Sequence, residues 1–371
     1  MNWLLNGVCE GDIMKRLILT TIPALSLAAT ATGVGVGAQS AAAAPPPLEY
    51  VTLGDSYSAG NGTGTYDETI CWRSPDNYGA QVAQAVGAQH TTAACAGGVV
   101  ADILNPRKLG APTTKTATYR LPGTSPNSEK HWLRLAKDDA LCGVPAQPDW
   151  YYDYTLRSSN RDGEDVTATV SCQLTATPQI DAVTQKTDAV FLTVGGNDIG
   201  FGLITAHCLL ARNATNCSVA LGAAEAKLPR LQEDISAALK AVHDRSKGNA
   251  EIYLLGYPHL INMASYTIPE GAPTYDAGAA LYRLQLDGDR AQAQAMAELD
   301  ATTTGKGGFT FVDVKPAWGG LTHGLDPHAV PNQANSWLVP IGAPGRQPSE
   351  WVHPTIQGWN ADADALRAAL K

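Results

Sequence analysis

Apolar residues along this chain fall into two alternating patterns, and that alternation predicts the fold. Apolar, β-favouring runs mark strands at 48–53, 189–194, 251–256 and 309–313, with a shorter run at 91–95. The run at 189–194 is apolar on both faces, as expected of a parallel strand covered by helices on each side. Between these runs the period changes to that of a helix. Tyr78, Val82 and Val86 share one face of a helix predicted at 77–86. Leu228, Leu231, Ile235, Leu239 and Val242 form the buried stripe of another at 223–245, and further helices are expected over 178–184, 276–299 and 356–370. Strands alternating with helices imply the α/β class, a parallel sheet inside a three-layer α/β/α sandwich.

Residues 105–177 break the pattern. They are rich in Pro, Thr, Asp and Tyr without clear periodicity, and are expected to form an irregular insertion, a lid or a set of hairpins. Trp132, Trp150, Tyr151 and Tyr152 in this stretch are candidates for lining an apolar cleft, stacking on sugars, or packing a loop. The loops around 257–275 are the other candidates for shaping a pocket.

The N-terminal residues carry a different message. Met14-Lys15-Arg16 is basic, 17–38 is uncharged and mostly apolar, and small residues crowd 38–44, so 1–44 is expected to be a signal peptide and leader. Residues 45–371 are then a single exported domain, a monomer with no stable membrane span after cleavage. Cysteine usage fits an oxidising compartment. Cys9 lies in the leader, and Cys71, Cys95, Cys142, Cys172, Cys208 and Cys217 remain, enough for three disulfides. Their connectivity does not follow from the letters; sequential pairing is the simplest option. With no C-x-x-C pair, and no His at ligand spacing from these cysteines, zinc is not expected. A chain of 371 residues with net charge −9 and no Lys/Arg cluster does not point to nucleic acid as a partner.

Candidate chemistry lies at strand ends. The strand at 48–53 stops at Gly54 and presents Asp55 and Ser56, a way to display a hydroxyl nucleophile beside inward-turned N–H groups. The spelling is not the G-x-S-x-G elbow of α/β-hydrolases. Glycines also follow Cys95 and Val194, and in parallel α/β sheets ligands lie beyond the carboxyl ends of the strands.

Four blocks carry a resemblance. Gly54-Asp55-Ser56-Tyr57-Ser58, Ala94-Cys95-Ala96-Gly97-Gly98, Gly195-Gly196-Asn197-Asp198 and His353-Pro354 resemble, in order, the blocks of the SGNH (GDSL) hydrolases. The six-cysteine exported form looks most like that family's secreted actinobacterial lipases and esterases. The resemblance implies a flavodoxin-like sandwich with Ser56 as nucleophile and His353 as its base. It implies an oxyanion hole made of the Ser56 N–H, the Gly97 N–H and the Asn197 side chain. His323 and His328 are the rival bases, and Asp198 is expected to be a structural cap. The family usually places an Asp three residues before the histidine. Here that position is Glu350, so either its side chain or its main-chain carbonyl is the expected orienter. Ala96 also departs from the serine common in close relatives. No cofactor or metal is implied. The expected activity is hydrolysis of an acyl ester of a lipid, phospholipid or small alcohol. Deacylation of plant polysaccharide is the second reading, and a non-catalytic binding protein on the same fold is the third.

Overall fold

A computed structural model describes residues 46–268, 274–329 and 333–370. The expected signal peptide at 1–44, with Cys9, lies outside the described residues, as does 269–273 of the 257–275 segment. The main sheet contains β1 (Glu49–Gly54), β2 (Gln89–Thr92), β6 (Ala189–Thr193), β7 (Glu251–Leu255) and β8 (Phe309–Val312). Its order is β8-β7-β6-β1-β2, and every pair is parallel. Counted within the sheet this is the flavodoxin-like order 2-1-3-4-5, whose switch point falls between β1 and β6.

Alternation along each strand separates two cores. Tyr50, Phe191 and Tyr253 face one side with Tyr78 of α1 (Tyr78–Val86) and Trp359 of α5 (Ile356–Ala369). Val51, Leu53, Val190, Leu192, Ile252 and Leu254 face the other, against α3 (Ala214–Arg245) and α4 (Ala277–Thr302). The α/β/α sandwich read from the sequence is therefore the architecture. Helix α3 starts earlier than its apolar stripe indicates, because the Asn213 side chain caps it by accepting the Asn216 N–H at 2.9 Å.

Two expectations need correction. The 178–184 segment is a 3₁₀ turn at Gln179–Ala182 rather than a helix. The second strand lies at Gln89–Thr92, before the apolar Ala93-Ala94 that drew attention to 91–95. Of the readings of 105–177 the hairpin form is the one present, more regular than an irregular insertion: β3 (Thr113–Arg120), β4 (Trp150–Asp162) and β5 (Asp165–Ala176) form an antiparallel sheet, completed by a short pairing of Arg107–Lys108 with Thr175–Ala176. Helix α2 (Glu129–Asp138) packs Trp132 on Val166 and Ala168. Trp150 packs with Cys71 and Cys95, and Tyr152 with Cys142 and Cys172. Trp132, Trp150 and Tyr152 thus help bind the excursion together. A charge pair ties it to the loop that precedes α1, the Arg73 guanidinium meeting the Asp149 carboxylate through two contacts of 2.9 and 2.6 Å.

The three disulfides are Cys71–Cys95, Cys142–Cys172 and Cys208–Cys217, the sequential set. Among the described residues no helix is long and apolar enough to cross a membrane.

Candidate active site

Strand β1 ends beside β6, and glycine is required there. Gly54 has φ +108°, and a Cβ on it would lie 2.1 Å from the Thr193 carbonyl oxygen. Gln179 secures this glycine on both sides: its Oε1 accepts the Gly54 N–H at 2.6 Å and its Nε2 donates to the Gly54 carbonyl at 2.9 Å. The chain then turns into one helical turn, Ser56–Ala59, capped by the Asp55 carboxylate, which accepts the Tyr57 N–H at 2.9 Å.

Asp55 is fully buried and anchors more than its own turn. It accepts the Thr193 hydroxyl at 2.7 Å and the Tyr257 hydroxyl at 2.5 Å, while the Tyr257 oxygen accepts the Gly196 N–H at 3.1 Å. Burial pushes its carboxyl up to about 6, against the pull of the Tyr257, Thr193 and Tyr57 donors. Tyr257 therefore joins the turn after β1 to the loop after β6. The sequence placed it only at the start of the 257–275 loops.

Ser56 and His353 meet. The His353 Nε2 lies 2.7 Å from the Ser56 Oγ, across 297 positions of sequence. On the other side of the ring, Nδ1 is 2.9 Å from the Trp351 carbonyl oxygen. A carbonyl only accepts, so Nδ1 carries the proton and Nε2 is free to accept one from Ser56. Burial holds the imidazole down to about 4; the Trp351 and Glu350 carbonyls and the Glu350 charge oppose this only in part. The ring is neutral at neutral pH.

The Nδ1 partner corrects the expectation placed on Glu350. Its side chain faces away from the histidine and accepts from the Tyr66 hydroxyl (2.6 Å), the Arg346 Nη1 (2.8 Å) and the Gln347 N–H (2.8 Å). Its carbonyl takes the main-chain N–H of His353 at 3.2 Å. The acceptor on the ring is a main-chain carbonyl, one residue later than expected. The reason is local. Val352 adopts φ +63°, rare for a β-branched residue, which turns the chain back so that Trp351 O faces the ring. The Val352 N–H bonds to Val339 O and the Val339 N–H to His353 O, both at 2.8 Å, and the Tyr57 hydroxyl donates to Val352 O.

The other two loops close around the serine. Asn197 donates from Nδ2 to Gly98 O at 2.8 Å, leaving its second N–H uncommitted. Asp198 accepts the Val100 N–H at 3.2 Å, a structural cap as expected. A Cβ on Gly98 would sit 2.8 Å from Gly54 O, so the second loop lies against the first. The Cys71–Cys95 bridge and the Ala96 N–H to Cys71 O bond (2.9 Å) hold it there. Among the described residues neither the Ser56 nor the Gly97 N–H has a main-chain acceptor. The rival histidines are elsewhere: His323 stacks on Trp337 at 3.6 Å, and His328 packs edge-on to Tyr266 at 5.2 Å. No cluster of three or more His, Cys, Asp or Glu able to hold a metal occurs among the described residues.

No protein-family model matches the chain. Lipase 2 of Streptomyces coelicolor is 35% identical over 91 residues, 24% of this chain and 31% of that protein. The match thus spans about a third of the length of that curated relative. An extracellular lipase from Streptomyces rimosus superposes with a TM-score of 0.56 at 21% identity, covering 87% of this chain and 100% of that one. Phospholipase A1 from Streptomyces albidoflavus NA297 gives 0.55 at 20% identity, covering 88% and 100%. At these identities the likeness to the solved structures establishes a shared fold.

Proposed function

We propose that this chain, which has the fold of the SGNH (GDSL) hydrolases, is an exported serine ester hydrolase acting on acyl esters of lipids or small alcohols. The observation that carries this reading is the 2.7 Å contact of Ser56 Oγ with a neutral, carbonyl-oriented His353. In the proposed reaction the Ser56 oxygen attacks the ester carbonyl as its proton passes to His353 Nε2. The uncommitted Asn197 N–H and the Ser56 and Gly97 N–H groups stabilise the oxyanion, each worth roughly 2.7–4 kcal/mol in the transition state. The carbonyl re-forms, the C–O bond to the alcohol breaks, and the imidazolium returns the proton to the departing alkoxide. Water then repeats the sequence on the acyl-enzyme, releasing the acid and restoring Ser56.

The lipase and phospholipase activities named for the Streptomyces structures support the ester class. Three disulfides support work outside the reducing cytosol. The test pairs a nitrophenyl ester with a fluorophosphonate probe. Turnover and labelling at Ser56 are expected, with both abolished in Ser56→Ala and turnover reduced by about 10⁴-fold or more in His353→Ala. A folded wild-type protein that neither hydrolyses the ester nor takes the probe overturns the proposal.

A further inference from the structure

Behind the Asn197 loop a cavity of about 80 Å³ opens between α3 and α4. Its wall is almost all carbon, from residues such as Phe201, Leu228, Leu231 and Leu284. It adjoins the candidate active site through Gly196, Tyr257 and Phe201. Tyr257 holds Asp55, and the Phe201 ring lies 6.3 Å from the His353 ring. The polar side chains in its wall are engaged elsewhere. Gln285 donates to Pro258 O at 2.8 Å, Gln292 donates to Val194 O at 2.9 Å, and Asp289 pairs with Lys315. The wall therefore offers little to hold a sugar or a charged group.

Gly288 on α4 also lines this space. A glycine inside a helix costs about 0.5–1 kcal/mol relative to alanine, so it calls for a reason. Neither backbone nor crowding supplies one. Its φ is not in the left-handed region, and an added Cβ would meet nothing within 4 Å.

We propose that this cavity holds the acyl chain of the substrate and that Gly288 sets the chain length it accepts. The inference rests on the ester hydrolase reading. The acyl group stays on Ser56 through the second half of the reaction while the alcohol departs. A recess walled by carbon suits the part that stays. A 150 Å³ apolar cavity accepts benzene, so 80 Å³ takes about three carbons beyond the carbonyl. Butanoyl esters fill it, and longer chains extend past the enclosed part.

The experiment measures kcat/KM for nitrophenyl acetate, butyrate and octanoate, and for acetates of alcohols of increasing length. It compares wild type, Gly288→Leu, Gly288→Ala and an exposed helix control, Gly222→Leu. A methylene in such a pocket is worth about 10–200-fold. The butyrate-to-acetate ratio is expected to fall by about tenfold or more in Gly288→Leu and less in Gly288→Ala. It should hold in the control, and the alcohol series should not change. Gly288→Ala adds one methyl group at a favourable helix position, so it keeps the test open if the leucine variant does not fold. An unchanged acyl ratio in folded Gly288 variants, or a change that follows the alcohol instead, overturns the inference and leaves the hydrolase reading standing. Absence of ester turnover and of probe labelling in wild type removes both.

Discussion

Replacing Glu350 with alanine separates the two readings of its role. If its side chain oriented the histidine, its loss would resemble removal of a triad carboxylate, which costs about 3 × 10⁴ in kcat in subtilisin. The geometry points elsewhere. The Nδ1 acceptor is Trp351 O at 2.9 Å, and alanine leaves it in place. The Glu350 side chain instead fastens its own loop through Tyr66, Arg346 and the Gln347 N–H. Hydrogen bonds to a charged acceptor contribute about 1.5–3 kcal/mol each, and the partly exposed arginine adds little. Set against the cost of burying the carboxylate, a stability loss of about 3 kcal/mol is expected. The loss of kcat/KM should stay within about tenfold. The pH profile supplies a sign. The Glu350 charge raises the His353 pKa, so its removal moves the acid limb to lower pH. Burial, countered and outweighed by the Tyr66, Gln347 and Arg346 donors, leaves Glu350 itself below the ordinary carboxylate range. Urea denaturation and kcat/KM from pH 3 to 8 make the measurement. A folded Glu350→Ala variant as slow as His353→Ala would refute the carbonyl-oriented ring.

Other outcomes follow from the same geometry. Tyr257→Phe removes the donor to Asp55 and the acceptor for Gly196, and is expected to lower kcat about tenfold with little change in KM; an unaltered kcat would deny it a positioning role. Asp362 is fully buried with its carboxylate on the Trp318 indole N–H at 2.7 Å, and burial pushes it up to about 8 despite that donor. The folded form keeps a proton that the unfolded chain releases between pH 3.8 and about 8, so wild-type stability falls as pH rises through that window. Asp362→Asn lacks this slope, and its advantage over wild type should grow by several kcal/mol from pH 5 to pH 8 in parallel thermal melts; a constant difference refutes the assignment. Removing the Cys71–Cys95 bridge as a double serine variant, which opens a loop with a separation of 24 residues, is expected to cost about 3.5 kcal/mol. An unfolding free energy lowered by less than about 1 kcal/mol in urea denaturation would contradict that.

Four of the main-sheet strands were readable because they are largely buried, as the AVFLT run of β6 shows, whereas β2 (QHTT) is half exposed and was misplaced. Ser56, Gly97, Asn197 and His353 were marked as candidates by the resemblance of four ordered blocks to the SGNH hydrolases, since Gly, Asp, Ser and Asn at a strand end are by themselves ordinary turn residues. Trp351 was not, since a main-chain carbonyl leaves no trace in the residue type. Nor was Tyr257, which finds Asp55 across 202 positions. In the excursion, β5 does alternate, with Val166, Ala168, Val170 and Cys172 turned inward. Its neighbour β3 reads TTKTATYR and is mostly exposed, so it carries no periodic signal. The 178–184 segment has too few apolar positions to tell a 3₁₀ turn from a helix, and its glutamine is spent on Gly54.

The antiparallel excursion leaves and rejoins the main chain through adjacent strands, Arg107 facing Ala176. Its two ends are therefore a single step apart, and the intervening segment behaves as an exchangeable cassette. Recombination between homologues, or a designer's short splice at this junction, can replace it without re-threading the central sheet. The replacement must bring its own cover for Cys71 and Cys95, which the present cassette shields with Leu109 and Trp150.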